Sequence, residues 1–131
     1  MIFSRSTVHR ITKSILVTAV IAGSTGCGDP KYRAPAIVVT FDPNFPPPTA
    51  LAAGATAGVA ADIANDTKNS GVNFTCAPAG ACGSFTPPQI ASGVPTNYQS
   101  PSAIPAGGTV NITATSVTDP TKSVSAAITI D

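Results

Sequence analysis

Few residues of this chain could do acid–base chemistry. The sequence holds one histidine, His9, no glutamate and six aspartates. General acid–base catalysis needs a titratable group in a shaped pocket. Asp62 and Asp66 are the only closely spaced carboxylates, and the pattern predicts one at a strand edge and the other in the following loop, both solvated. The sequence therefore predicts no catalytic residues and a protein that is not an enzyme.

Metal and cofactor sites are also poorly supported by the residue types. Oxygen ligands do cluster once, which would suit Ca²⁺ chemically, although their spacing matches no dedicated calcium loop. They are Asp62, Asn65, Asp66 and Thr67. No C-x-x-C pair and no glycine-rich phosphate loop opening a helix is present. We therefore expect no cofactor and no metal.

Two of the three cysteines predict a disulfide. Cys76 and Cys82 enclose residues 77–81 (APAGA), which include the proline and glycine that a tight reversal uses. In an oxidising compartment such a pair readily forms a disulfide. Closing so small a loop stabilises the folded state by about 2 kcal/mol in the chain-entropy estimate. The third cysteine, Cys27, then needs a separate explanation.

The amino terminus predicts export from the cytoplasm. Its basic start is followed by an apolar run at residues 15–22 (ILVTAVIA) and then by small residues. This order is typical of a secretory signal, and the run is far shorter than the roughly 20 residues of a spanning helix. The basic group comprises Arg5, His9, Arg10 and Lys13.

The residues before Cys27 resemble the lipobox of bacterial lipoproteins. Gly26 and Thr25 fit that motif, whereas Ser24 replaces the usual leucine. The resemblance implies a cleaved signal over residues 1–26, a lipidated Cys27 and a membrane partner held through acyl chains. Gly28 occupies the position where an aspartate favours retention in the inner membrane, so the outer membrane is slightly favoured. The alternative is ordinary cleavage that leaves a soluble periplasmic or secreted protein with a free thiol.

The charge of the chain after the signal excludes some partners. From Cys27 onward there are four cationic and six acidic residues, a net charge near −2. Four dispersed cationic residues do not form a basic patch that could bind nucleic acid. Residues 27–36 are polar and contain prolines, so they predict a flexible tether that leads into a domain over residues 37–131.

The domain reads as all-β, because short β-branched runs alternate with turn residues. An Ala-rich stretch at 57–64 could form a helix, but its period of two favours a strand. Asp119 and Pro120 predict a type I turn that joins the last two strands as a hairpin. About seven strands are expected, at residues 37–41, 57–64, 72–76, 83–86, around Tyr98, 109–117 and 122–130, with a short edge piece within 50–54.

Four segments in order resemble bacterial immunoglobulin-like domains of group 2, the invasin and intimin type. They are TALAAG at 49–54, GVNF at 71–74, AIPAGGTVNITATS at 103–116 and DPTKS at 119–123. The resemblance implies a single antiparallel immunoglobulin-like sandwich, with Phe74 at the core position where the family usually carries tryptophan. It carries no catalytic residues, and any function inferred from it is analogy.

These observations predict an envelope-anchored module with a structural, adhesive or protein-interaction role. Its partner would be a protein or a glycan at the cell surface. One alternative is a carbohydrate binder, which needs an exposed aromatic platform to which only Tyr98 and Phe45 could contribute. Another is an inhibitor that presents residues 77–81 as a rigid loop. The binding residues and the oligomeric state are not determined by the sequence.

Overall fold

Ten short strands and no helix make up the part of the chain described by the computed structural model, residues 33–131. Residues Pro35–Asp131 form one compact unit. The strands are β1 (Val38–Phe41), β2 (Ala50–Leu51), β3 (Thr56–Val59), β4 (Ala61–Ala64), β5 (Val72–Ala77), β6 (Ser84–Thr86), β7 (Gln89–Ile90), β8 (Thr96–Gln99), β9 (Thr109–Ser116) and β10 (Ser123–Ile130). The all-β prediction is confirmed.

The strands form two layers. One layer is a five-stranded sheet in the order β2-β10-β9-β5-β7. The other contains a three-stranded sheet, β3-β8-β6, and a two-stranded sheet, β1-β4, which the chain connects through Ala60 between β3 and β4. All pairs are antiparallel except β2 with β10, which is parallel.

Side chains from both layers meet in one core. Phe74 on β5 packs against Phe85 on β6, with ring centroids 5.2 Å apart, and Phe85 packs against Tyr98 on β8 at 4.9 Å. The alternation in β9 points Val110, Ile112 and Ala114 inward, as the period of two predicts, and all three are fully buried. Burying a side chain such as Ile112 contributes about 1.5–3 kcal/mol.

The number of strands differs from the expected seven for a local reason. Residues 57–64 are extended, as predicted, but they do not form one strand. Ala60 interrupts them because its N–H donates to the Phe45 carbonyl and its carbonyl accepts from the Asp42 N–H. The chain therefore changes its pairing partner from β8 to β1 at this residue. The two-residue strands β2 and β7 account for the other additional segments.

The predicted hairpin between the last two strands is confirmed. β9 and β10 pair over seven residue positions, from Ser123 opposite Thr115 to Thr129 opposite Thr109. The Lys122 N–H donates to the Asp119 carbonyl at 2.9 Å, which closes a four-residue turn with aspartate first and proline second. Tyr98, expected to anchor a short strand, lies in β8 with its side chain fully buried.

The connections between strands collect at two opposite ends of the sandwich. The amino end contains Ala36, the loop at residues 65–71 and the turn at residues 117–122, and it is joined by hydrogen bonds from Asn65 to Ala36 and from Val117 to Gly71. The disulfide end contains residues 52–55, 77–81 and 101–108. There the Gly54 N–H donates to the Pro101 carbonyl at 2.8 Å.

Candidate functional site

The disulfide predicted from the sequence is formed. Cys76 ends the core-facing side of β5 and bonds to Cys82, with the two Cα atoms 5.7 Å apart. Residues 77–81 between them are all exposed. The Ala81 N–H donates to the Pro78 carbonyl at 3.1 Å, which tightens the reversal. The covalently closed loop therefore lies exposed at the disulfide end. It presents backbone groups and small apolar side chains to the solvent.

Buried core residues contact the base of this loop and support it. The Tyr98 hydroxyl donates to the Cys82 carbonyl at 2.6 Å, and Cys82 itself is buried. Gly83 follows with a φ of +89°, and a Cβ there would lie 2.0 Å from the Gln99 carbonyl oxygen. No residue other than glycine can approach β8 this closely. The loop is thus positioned by the buried aromatic cluster as well as by the disulfide.

Burial raises the pKa of the Tyr98 phenol above its usual value of 10.0. The neutral phenol is favoured in the folded protein, so its stabilising contribution is complete below about pH 10 and is lost as the pH rises through the higher folded pKa. Tyr98 also cannot belong to an exposed aromatic platform, because its side chain has no exposed area.

We predict that Tyr98→Phe lowers the free energy of unfolding by about 1–3 kcal/mol near neutral pH, since the Cys82 carbonyl loses its buried donor. The variant should then lose less stability than the wild type between about pH 9 and about pH 11, because the titrating phenol is gone. Urea unfolding at both pH values measures each effect. Tyr32→Phe, which changes the other tyrosine, is the control, and an equal effect of both substitutions would contradict the assignment.

A carboxylate organises the loop at the amino end. Asp66 accepts hydrogen bonds from the Thr118 hydroxyl at 2.8 Å, the Lys68 N–H at 3.0 Å and the Ser70 N–H at 3.2 Å. Desolvation raises the pKa of Asp66, but hydrogen bonds from Thr118, Lys68, Ser70 and Asn69 outweigh it, so that this pKa lies below its usual value. Asp66 therefore ties the loop at 65–71 to the turn after β9.

The suggested calcium ligands do not form a metal cluster. The carboxylate of Asp66 is occupied by the loop and by Thr118, whereas Asp62 lies on β4 beside Gly93. Within residues 33–131, no group of three histidine, cysteine or acidic side chains is arranged to hold a metal ion. The two carboxylates, Asp62 and Asp66, therefore have separate surroundings.

Charge is distributed unevenly between the two ends. The amino end carries Asp66, Lys68, Asp119 and Lys122, whereas the three segments of the disulfide end contain only alanine, glycine, proline, serine and Ile104. Ile104 is 58% exposed. Such a surface offers backbone hydrogen bonds and apolar contact. Asp131, which follows β10, lies beside this end, because its carbonyl accepts a hydrogen bond from the Ala53 N–H.

The remaining predicted residues lie elsewhere or outside the described part of the chain. Phe45 is 42% exposed and covers Gly58 on β3, well separated in the sequence from the disulfide loop. The lipidation residue Cys27 and the tether residue Tyr32 lie outside residues 33–131. Sequence reasoning did not identify Ile104 or Asp66 as parts of the two ends, since their neighbours come from distant segments.

Comparisons with known proteins found no match for this chain. No protein family model matches it. The curated proteins and the solved structures contain no match either. Within residues 33–131, no helix has the length and apolar character needed to span a membrane. The functional assignment therefore rests on the sequence features and on the geometry described above.

Proposed function

We propose that this protein is an exported lipoprotein whose immunoglobulin-like domain serves a non-enzymatic structural, adhesive or protein-interaction role at the cell envelope. Cys27 carries the lipid anchor, residues 28–36 act as the tether, and the domain follows. The outer membrane is favoured over the inner one by the residue after Cys27, Gly28. The partner is a protein or glycan of the cell surface.

The order of the strands is the observation that carries the immunoglobulin-like part of this proposal. Immunoglobulin constant-type sandwiches pair strands A, B, E and D in one layer and C, F and G in the other. If β3 and β4 are taken as one interrupted strand B, the first layer reads β1, β3–β4, β8, β6, which is A-B-E-D. The second layer contains β10-β9-β5, which is G-F-C. β2 and β7 are short additions at its edges.

The directions of β1 and β10 support contacts with a partner at the disulfide end. β1 begins beside the amino end, where Asn65 holds the Ala36 carbonyl at 2.9 Å. β10 runs to the disulfide end, where the Ile130 N–H donates to the Gly108 carbonyl at 2.8 Å. The residues that precede β1 therefore join the domain at its amino end, opposite the disulfide end. Contacts with a partner are accessible there.

The composition of the exposed surface supports binding rather than catalysis. The buried aromatic residues Phe74, Phe85 and Tyr98 are used for packing, and Asp66 is used to organise a loop. The disulfide loop has five exposed residues without a charged or aromatic side chain. Such a loop lacks the aromatic and arginine anchors that dominate tight interfaces, which favours a structural or adhesive role over that of an inhibitor.

Intact-mass spectrometry tests the proposal on protein purified from membranes of an expressing bacterium. We expect a chain that begins at an acylated Cys27 and gains two hydrogen atoms on reduction, because the Cys76–Cys82 disulfide opens. A Cys27→Ser variant is the matched control and should lack the acyl mass but keep the gain on reduction. An unmodified chain with a free Cys27 thiol would refute the lipoprotein assignment and favour a diffusible binding protein.

A further inference from the structure

The outer edge of β1 is open among residues 33–131. Within this range β1 pairs with β4 only. Val39 points into the core, whereas Val38 is 49% exposed and Thr40 is exposed beside it. An open edge presents unpaired N–H and C=O groups, which can pair with a further strand.

The short outermost strands β2, β6 and β7 are protected in ways that β1 is not, and β2 covers the outer edge of β10 at Thr129 and Ile130 only. β2 and β7 are two residues long, and prolines precede both of them in the chain. β6 has three residues and is enclosed by the disulfide turn and by Pro87. β1 and the preceding Ile37 form the run IVVTF, which contains neither a charge nor a proline. These β-branched and aromatic residues have high strand propensity, and the edge lacks the usual protection against strand addition.

We propose that β1 pairs antiparallel with β1 of a second copy of this chain, which forms a symmetric dimer. Antiparallel pairing of two identical strands obeys a two-fold axis, so that one surface provides both halves of the interface. If Val39 lies opposite Val39 of the second copy on the two-fold axis, Val38 lies opposite Thr40 and Ile37 lies opposite Phe41, so that only uncharged residues meet and core-facing residues share one side of the layer. The result is a continuous layer in the order β4-β1-β1-β4.

The nearby charges permit this pairing. In the same register Asp42 lies opposite Ala36 of the second copy. The two copies of Asp42 are then about 20 Å apart along the strands, at about 3.3 Å per residue. Charges separated by more than the Debye length of about 8 Å are largely screened at physiological salt. A second copy is therefore accommodated without a like-charge contact, and its Thr40 lies beside Val38.

The proposed dimer rests on the proposed interaction role. It identifies the partner as a second copy of this chain. Copies anchored to one membrane are confined to its surface, which raises their effective concentration. Antiparallel pairing of β1 sets the amino ends of the two domains at opposite ends of the dimer. Anchoring assists the association but is not required for it. A monomer with an acylated Cys27 would overturn the dimer and leave the proposed function intact. A dimer with an unmodified Cys27 would support the dimer and overturn the proposed lipid anchor.

Analytical ultracentrifugation of the full chain, extracted in detergent at increasing protein concentration, tests the dimer. Thr40→Lys places a charge on the exposed edge of β1 and should weaken dimerisation by at least about tenfold, because the lysines of the two copies approach each other. Thr75→Lys is the matched control, since Thr75 is an exposed threonine on β5 in the other layer. It should leave dimerisation unchanged. Circular dichroism and the mass gain on reduction verify that both variants fold.

Hydrogen exchange provides a second measurement that does not depend on a variant. In the wild type, β1 amides should become more protected as the protein concentration rises, while those of β6 should not change. A wild-type protein that stays monomeric over the whole concentration range would overturn the proposal. So would equal weakening by Thr40→Lys and Thr75→Lys, or concentration-dependent protection at another edge in place of β1.

Discussion

Replacing Cys27 with serine should move the protein from the membrane fraction to the soluble fraction. The lipid of a bacterial lipoprotein is attached through the cysteine sulfur, and serine offers no thiol for that bond. Each CH₂ of an acyl chain that enters the bilayer contributes about 0.8 kcal/mol, and several chains together hold a protein stably. Fractionation of cells followed by immunoblotting, with a carbonate wash of the membranes, measures the change.

Ser24→Leu is the control for this experiment. It supplies the leucine that lipobox motifs usually carry at the position where this chain has Ser24. The variant should remain in the membrane fraction and be processed at least as completely as the wild type. The anchor assignment would be wrong if wild type and Cys27→Ser were both soluble. It would also be wrong if Cys27→Ser stayed with the membrane after proper cleavage of its signal.

Gly83→Ala should destabilise the domain by more than about 3 kcal/mol, since two costs combine at this position. A non-glycine residue at a positive φ is strained by about 1–3 kcal/mol. The new Cβ would also lie 2.0 Å from the Gln99 carbonyl oxygen, a backbone atom that cannot rotate away. The pairing of β6 with β8 must then open. Urea unfolding followed by circular dichroism measures the loss of stability.

Gly80→Ala is a matched control because it tests the positive φ without the collision. Gly80 lies in the same disulfide loop with a φ of +79°, and a Cβ there would have no neighbour within 4 Å. Its cost should be limited to the strain of about 1–3 kcal/mol from the backbone conformation. If both substitutions cost the same, the close approach of Gly83 to β8 does not limit stability.

Much of the all-β architecture follows from local sequence pattern. The alternation of apolar and polar residues in β9, and in β10 except at Ala127, predicted both strands, and Asp119 with Pro120 predicted the turn between them. These features are local, because an alternating strand has one buried face and a short turn fixes its partner. The Cys76–Cys82 disulfide was equally predictable from the sequence. So few residues separate the two cysteines that their pairing needs only a tight reversal of the chain.

Other features of the fold depend on partners that are distant in sequence. The break at Ala60 arises from hydrogen bonds to Phe45 and Asp42, and nothing within the Ala-rich run indicates it. The role of Asp66 depends on Thr118, which lies 52 residues away in the chain. A sequence pattern can show that an aspartate lies in a loop but cannot show which donors surround it.

By itself, the sequence determined the strand-forming runs and the disulfide pair, because composition and residue spacing control these properties directly. Only the tertiary structure decided which layer each strand joins, that Tyr98 supports the disulfide loop, and that β1 has an open edge among residues 33–131. These properties depend on backbone hydrogen bonds and side-chain contacts between segments that are remote in the chain. Such contacts are chosen by the packing of the whole core.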